Sequence, residues 1–311
     1  MWAHLLVALL ACALITGDAA PPLDLVTCND ATVGAAVNLA IRHINEHHHH
    51  GYKFKLGEIQ GHKYEKVGEG CNIDLQLMLF ETKCHFTNPK AAEDCEMWEM
   101  GERGASASCT SMLSVQDGIA TVTRHQCTTQ QAMSNEDMFL TCPDCPSMMS
   151  LNDPDVMRVV AEAVQKYNQE SNHQHYFALL EVGRALSAYI PSLGMVTYPK
   201  FALVETNCPK GSRIAPEACV PRCPDRAQYA MCGTSYSTIN GVKSPECELY
   251  PAKNSAPLGP GEVEPVCASS FHQSAEATTC RTQMTNNDPA LHHICPFPLA
   301  VQLPQQEQVH H

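Results

Sequence analysis

The 311-residue sequence lacks the signatures of the common catalytic machineries: there is no Gly-x-Ser-x-Gly elbow, no His-Glu-x-x-His helix and no phosphate-binding glycine loop. An enzyme is not expected, because nothing in the chain pairs a nucleophile or a metal with its activating base. No Asn-x-Ser/Thr sequon occurs, so N-glycosylation is not expected either. Positive charge is scarce, with 20 Lys and Arg against 33 Asp and Glu, a net charge of −13 and no dense basic cluster. That balance excludes nucleic acid and anionic membrane surfaces as expected partners. After residue 20 no apolar run is long enough to cross a bilayer.

What the chain does have begins with an apolar run from Leu5 to Ile15, followed by the small residues Gly17, Ala19 and Ala20. Residues 1–20 read as a secretory signal peptide, and the expected localisation is secreted and extracellular. Cys12 lies in that segment, which leaves sixteen of the 17 cysteines, an even number, in the remainder. In a secreted chain such a set reads as a disulfide framework.

The same plan occurs twice. Asn29 or Asp30 can cap a helix carrying Val33, Ala36, Val37, Ala40, Ile41 and Ile44 on one face, ended by His47 to His50 and Gly51. Asp153, with Pro154 at the first helical position, opens a second stripe of Val156, Val160, Ala163, Val164 and Tyr167. An offset of 123 superposes Asn45 on Asn168 and Leu56 on Leu179, and an offset of 124 places Glu81-Thr82-Lys83-Cys84 on Glu205-Thr206-Asn207-Cys208. Helix pattern, strand tetrapeptide and cysteine spacing in common register mark a tandem duplication.

After each helix come strands. Tyr52–Glu65 and Asn72–Cys84 are expected in the first copy, the latter turning Ile73, Leu75, Leu77 and Leu79 inward, with a hairpin of Ser108–Ser114 and Ile119–Cys127 around Asp117-Gly118. Tyr176–Tyr189, Thr197–Cys208, Tyr229–Ser237 and Val242–Tyr250 correspond in the second. The fold class is therefore α+β: tandem domains over 25–140 and 151–250, each one helix packed on an antiparallel sheet. They are joined by a linker at 141–150. From Pro251 onward, prolines spread among Gly, Ser and Ala predict an irregular, extended or disordered tail over 251–311, tied back in part through Cys267, Cys280 and Cys295.

The linker contains Cys142-Pro143-Asp144-Cys145-Pro146. Its prolines fix φ and remove backbone donors, so it reads as a stiff exposed segment with one carboxylate at its tip. Redox chemistry would need a thiolate at a helix N-terminus. Two readings stay open. The segment is either a structural disulfide between domains, or a rigid mount that inserts Asp144 into the open fourth position of a catalytic zinc, at roughly 2.0–2.2 Å, in place of the nucleophilic water.

The tandem helix-plus-sheet plan, the Glu81-Thr82-Lys83-Cys84-His85 stretch, the cysteine pairs eleven apart and the Cys-Pro-Asp-Cys-Pro linker resemble the fetuins, which carry tandem type 3 cystatin domains. Leu151-Asn152-Asp153 leans toward the fetuin-A branch, the intact linker toward fetuin-B. The resemblance implies the bridges Cys28–Cys295, Cys84–Cys95, Cys109–Cys127, Cys142–Cys145, Cys208–Cys219 and Cys232–Cys247. Of the four cysteines it leaves over, Cys267–Cys280 is the nearer pair, leaving Cys71–Cys223. It also implies an inhibitor of an extracellular protease of the astacin type, with residues 142–146 inhibitory and cystatin hairpins bracketing the cleft. Papain-type inhibition is not expected: Lys63-Tyr64-Glu65-Lys66-Val67-Gly68 lacks the motif's glutamine, Leu186–Pro191 lacks the whole motif, and neither Trp2 nor Trp98 follows a proline.

The alternative implied function is a circulating carrier that binds Ca²⁺ or calcium phosphate. The outward face of residues 72–82 offers Asp74 alone among Asn72, Gln76, Met78, Phe80 and Thr82, a poor surface for a cation that prefers several oxygens. The chain is expected to hold no metal or other cofactor of its own. His43, His47 and His50 share a helical face and are the one candidate set, outweighed by a solvated helix end whose charge suits the C-terminal dipole.

Overall fold

The computed structural model describes residues 26–259, 261–265, 267, 280–282, 284 and 287–299; the expected signal segment and much of the tail lie outside them. In the first unit, Asn29 accepts from Ala31 N and opens a short 3-10 turn at Asp30–Thr32, which runs into helix α1 (Val33–His47). Strands β1 (Tyr52–Val67), β2 (Gly70–His85), β3 (Ala105–Gln116) and β4 (Ile119–Gln131) form an antiparallel meander in that order. The alternation expected for β2 holds: Ile73, Leu75, Leu77 and Leu79 are buried together with Ala36, Val37, Ala40, Ile41 and Ile44 of α1. The β3–β4 turn needs positive φ at both central residues, and Asp117 (52°) and Gly118 (74°) supply it.

Two further helices follow, α2 (Asn135–Thr141) and α3 (Pro154–Glu170), separated by strand β5 (Ser147–Met148). Helix α2 was not expected from the sequence. Asp153 caps α3 by accepting from Asp155 N and Val156 N, with Pro154 in the first turn. Strands β6 (His175–Ile190) and β7 (Gly194–Pro209) have sixteen residues each, like β1 and β2. The expected closing strands at 229–237 and 242–250 are interrupted, giving β8 (Tyr229–Gly233), β9 (Tyr236–Ser237), β10 (Gly241–Val242) and β11 (Glu246–Tyr250). Pro245 has no N–H to give, which breaks the ladder between β10 and β11, and Gly241, at a φ of 67°, turns the chain back from β9 into β10.

The duplication extends to individual hydrogen bonds. Asn45 bonds both N and O of Phe54 at 2.8 Å, and Asn168 does the same to Phe177 at 2.8 Å. Thr82 and Thr206 each accept, through Oγ1, from the cysteine two residues on.

The long-range disulfides differ from those the resemblance implies. Cys28 pairs with Cys71, not Cys295; Cys223 pairs with Cys267, and Cys280 with Cys295. Val26 is buried in the first core, which brings Cys28 to a Cα separation of 5.9 Å from Cys71 at the start of β2. Cys295 is then free for Cys280, so neither Cys267–Cys280 nor Cys71–Cys223 forms. The bridges within the units and Cys142–Cys145 form as expected. The loops closed by Cys28–Cys71 and Cys223–Cys267, of 43 and 44 residues, are each worth about 4 kcal/mol in loop-closure entropy. Part of the tail is ordered against the first unit: Ala290, Leu291 and Ile294 join its core, and Phe297 exchanges backbone hydrogen bonds with His125 of β4.

Candidate functional site

The Cys-Pro-Asp-Cys-Pro segment folds as a four-residue turn. Cys145 N donates to Cys142 O at 3.0 Å, and the same two residues are joined by the disulfide. Proline is favoured at the second position of such a turn, and Pro143 occupies it. Asp144 takes the third position, where it is exposed, and among the described residues no side chain bonds its carboxylate. The tip is thus an unpartnered anion on a backbone closed twice over.

Both shoulders of the turn are anchored. Ser134 caps α2 by accepting from Asp137 N, and Met138 of that helix is 2% exposed. On the other side β5 pairs with β6 through Ser147–Ser187 and Met148–Leu186, and Met149 N donates to Ala185 O. This antiparallel register carries the chain before Ser147 toward the β6–β7 turn, where Tyr189 and Met195 are exposed. On the opposite shoulder Phe139 and Leu140 are 66% and 82% exposed. A carboxylate flanked by large apolar side chains on two rigid elements suits a cleft with an electrophile at its centre and apolar walls. The β1–β2 turn stands elsewhere: it lies beside Val115, at the far end of its sheet from Gln131, where the chain leaves for α2.

A thioredoxin-like role finds no support in this geometry. Cys142 follows the last residue of α2 and donates its N–H to Met138 O, so it sits at the helix C-terminus. The partial negative charge there disfavours a thiolate.

The histidine set expected on one face is divided. Helix α1 stops at His47, and His50 lies beyond it. His43 and His47 stack at a 4.0 Å centroid separation, and His43 Nδ1 lies 3.3 Å from His125 Nδ1. Burial, with charge on His47 and His125, lowers the His43 pKa to about 4; burial likewise lowers His125 to about 4. His50 instead turns into the junction between the units, where its ring lies 4.2 Å from that of His48 and 5.7 Å from that of His292. His48 and His50 are buried, not solvated, and burial holds both well below the ordinary histidine value. Among the described residues no three donor side chains converge to hold a metal ion.

That junction is dense in charge. Arg184 of β6 pairs with Glu81 of β2, both almost fully buried, and also donates to Arg103 O. Glu181 accepts from His85 Nε2 at 2.8 Å and Arg281 Nη2 at 2.9 Å. Burial alone would raise the Glu181 pKa, but His292, His85 and Arg281 outweigh it and hold the carboxyl at about 2. On the first sheet Asp74 lies directly across from Lys63, so the one outward carboxylate of that face has an opposite charge beside it.

A cystatin domain profile matches residues 145–238, the core of the second unit. The rabbit (Oryctolagus cuniculus) alpha-2-HS-glycoprotein is 29% identical over 76% of this chain and 67% of its own length. The antihemorrhagic factor cHLP-B of Gloydius brevicauda is 31% identical over 59% of this chain and 52% of its own. Mouse fetuin-B, solved in complex with crayfish astacin, superposes with a TM-score of 0.57 at 23% identity, covering 76% of this chain and 71% of that one. These matches make the chain similar to the fetuins in sequence and in tandem fold. The chain spans about half to two thirds of the length of these two curated relatives. The likeness to the solved structure carries the tandem architecture onto it, so the first unit, outside the profile match, is read as a cystatin-like fold as well. The stiff turn at 142–146 is where the sequence places it, but the helix that mounts it was not expected, although Ser134 and Asp137 three residues on form a capping signal.

Proposed function

We propose that this chain is an extracellular inhibitor of zinc metalloproteinases of the astacin type, with Asp144 as the zinc-directed group. The observation that carries the reading is the exposed, unpartnered Asp144 carboxylate on a turn closed by both a disulfide and a hydrogen bond. A group so constrained loses little entropy on insertion into a cleft. Support comes from the fold shared with a fetuin-B that was solved bound to an astacin. The pairing of all sixteen cysteines beyond residue 25 into eight bridges supports an oxidising, extracellular setting. The carrier reading has less behind it, since Asp74 faces Lys63 across the strands. Inhibition assays of wild type and Asp144→Ala against an astacin-type endopeptidase test the proposal. The variant is expected to lose about 100-fold in affinity, the scale of a charge-assisted contact. Equal inhibition by the two proteins sinks the proposal.

A further inference from the structure

The disulfide stiffens the tip of the loop but leaves the direction of the tip undetermined. That direction depends on how the two ends of the excursion from residue 135 to residue 148 are held. Asn135, the first residue of α2, holds them to each other: Met148 N donates to Asn135 Oδ1 at 2.9 Å, and Asn135 Nδ2 donates to Met148 O at 3.1 Å. One side-chain amide thus mimics a rung of a β-ladder and ties the base of the helix to the strand thirteen residues later. Met148 is itself buried in the first unit's core while its backbone pairs with Leu186 of the second unit's sheet.

The same Asn135 Oδ1 accepts from Arg103 Nη2 at 2.9 Å. Arg103 is 2% exposed, and Nη2 also reaches Gln131 Oε1 at 2.9 Å and Met133 O at 2.8 Å. Its backbone holds a φ of 65°, unfavourable for a residue with a side chain, and its carbonyl accepts from Arg184 at the junction. A strained, buried arginine persists only where its surroundings over-determine it, and here those surroundings are the inter-unit ion pair on one side and the loop base on the other.

We propose that Asn135 is a positioning residue that fixes the aim of Asp144 by clasping α2 to β5, with Arg103 setting the clasp against the junction of the two units. The inference rests on the inhibitor reading above and adds the device that orients its tip. A rigid tip on a loose base would have to be ordered at the moment of binding, and that cost falls on affinity.

Wild type, Asn135→Leu and Asn135→Asp are compared by inhibition of an astacin-type endopeptidase and by hydrogen exchange at the Met148 and Cys145 amides. Asn135→Leu is expected to weaken inhibition at least tenfold and to strip protection from Met148 N, with the exchange of the β2 and β7 amides unchanged. Asn135→Asp keeps the acceptor for Met148 N and Arg103 but turns a second oxygen on Met148 O in place of the Nδ2 donor, and is expected to recover protection of Met148 N and part of the inhibition, falling between Asn135→Leu and wild type. Should Asn135→Leu not fold, Asn135→Ser removes the clasp without adding apolar bulk and takes its place. Wild-type inhibition by a clasp-less variant whose Met148 amide exchanges freely overturns the positioning role alone. Wild-type protein that leaves the endopeptidase untouched overturns the inhibitor reading instead.

Discussion

Glu81 and Glu205 occupy the same place in the two copies of the scaffold and serve different ends. Each accepts from a backbone amide opening the next part of its sheet, Ala105 N for Glu81 and Gln228 N for Glu205. Beyond that they diverge. Glu205 stays within its own unit, bonded to His175 and Arg222. Glu81 reaches across the junction to Arg184. The duplicated carboxylate is kept once as an internal brace and spent once on joining the copies, so sequence equivalence between repeats does not imply equivalence of role.

The sharpest way to break this comparison is to remove each partner in turn. Arg184→Met strands Glu81 as a buried, uncompensated charge and is expected to cost about 3–5 kcal/mol in denaturant unfolding. Arg222→Met leaves Glu205 bonded to His175 and to Gln228 N, and is expected to cost about 1–2 kcal/mol. Equal losses would mean that the junction pair is no more than another brace.

Acid is the next probe, because the buried histidines gather in the first unit and at the junction. His48 faces His292, Glu181, Arg281 and His49, and His50 faces His48, Arg281, His292 and the His293 carbonyl. Their folded-state pKa values, like those of His43 and His125 at about 4, lie below the unfolded value of about 6.5. The unfolded chain therefore binds more protons in that window, and the stability these groups contribute is present above pH 6.5 and lost as pH falls toward 4. The Glu181 contribution, with its pKa at about 2, survives to lower pH. Protection of the β1 and β4 amides, corrected for the slower intrinsic exchange in acid, should be lower at pH 5 than at pH 7.5, by about 2 kcal/mol from His125 alone, while that of β7 and β8 changes little. Uniform acid sensitivity across both sheets would count against the assignment. The smallest difference concerns the helix starts. Asp153→Ala, which gives up two amide contacts, should lower stability by about 1 kcal/mol, and Asn29→Ala, which gives up one on a 3-10 turn, by about half that in thermal melts.

Much of this was readable in the residues. Stripes at helical spacing placed α1 and α3, alternation placed the inward face of β2, and the offset marked Asn45 and Asn168 as equivalent positions, whose clamp on Phe54 and Phe177 only the structure displays. The exposed Asp144 tip followed from two prolines and a short cysteine spacing. What stayed hidden depends on contacts remote in sequence. Nothing local indicates that Val26 is buried and so delivers Cys28 to Cys71, or that His48 and His50, within a run of four histidines, turn inward just before Gly51 with its positive φ. The Asn135–Met148 pairing joins a side chain to a backbone thirteen residues away, and it has no periodicity to read.

The revised disulfides give the molecule an unusual anatomy. Three bridges lie within the first unit, one within the turn between the units, and four within the second unit and the tail. A clamp from Cys28 to Cys295 would have riveted the two ends of the protein together. Without it, a protease that nicks the chain once between Cys145 and α3 leaves two covalently separate pieces, held only by non-covalent contacts at the junction and by the tail docked on the first unit. They would migrate apart on a denaturing gel even with every disulfide intact, so a target enzyme that eventually cuts beside the loop would convert its inhibitor into a two-part assembly.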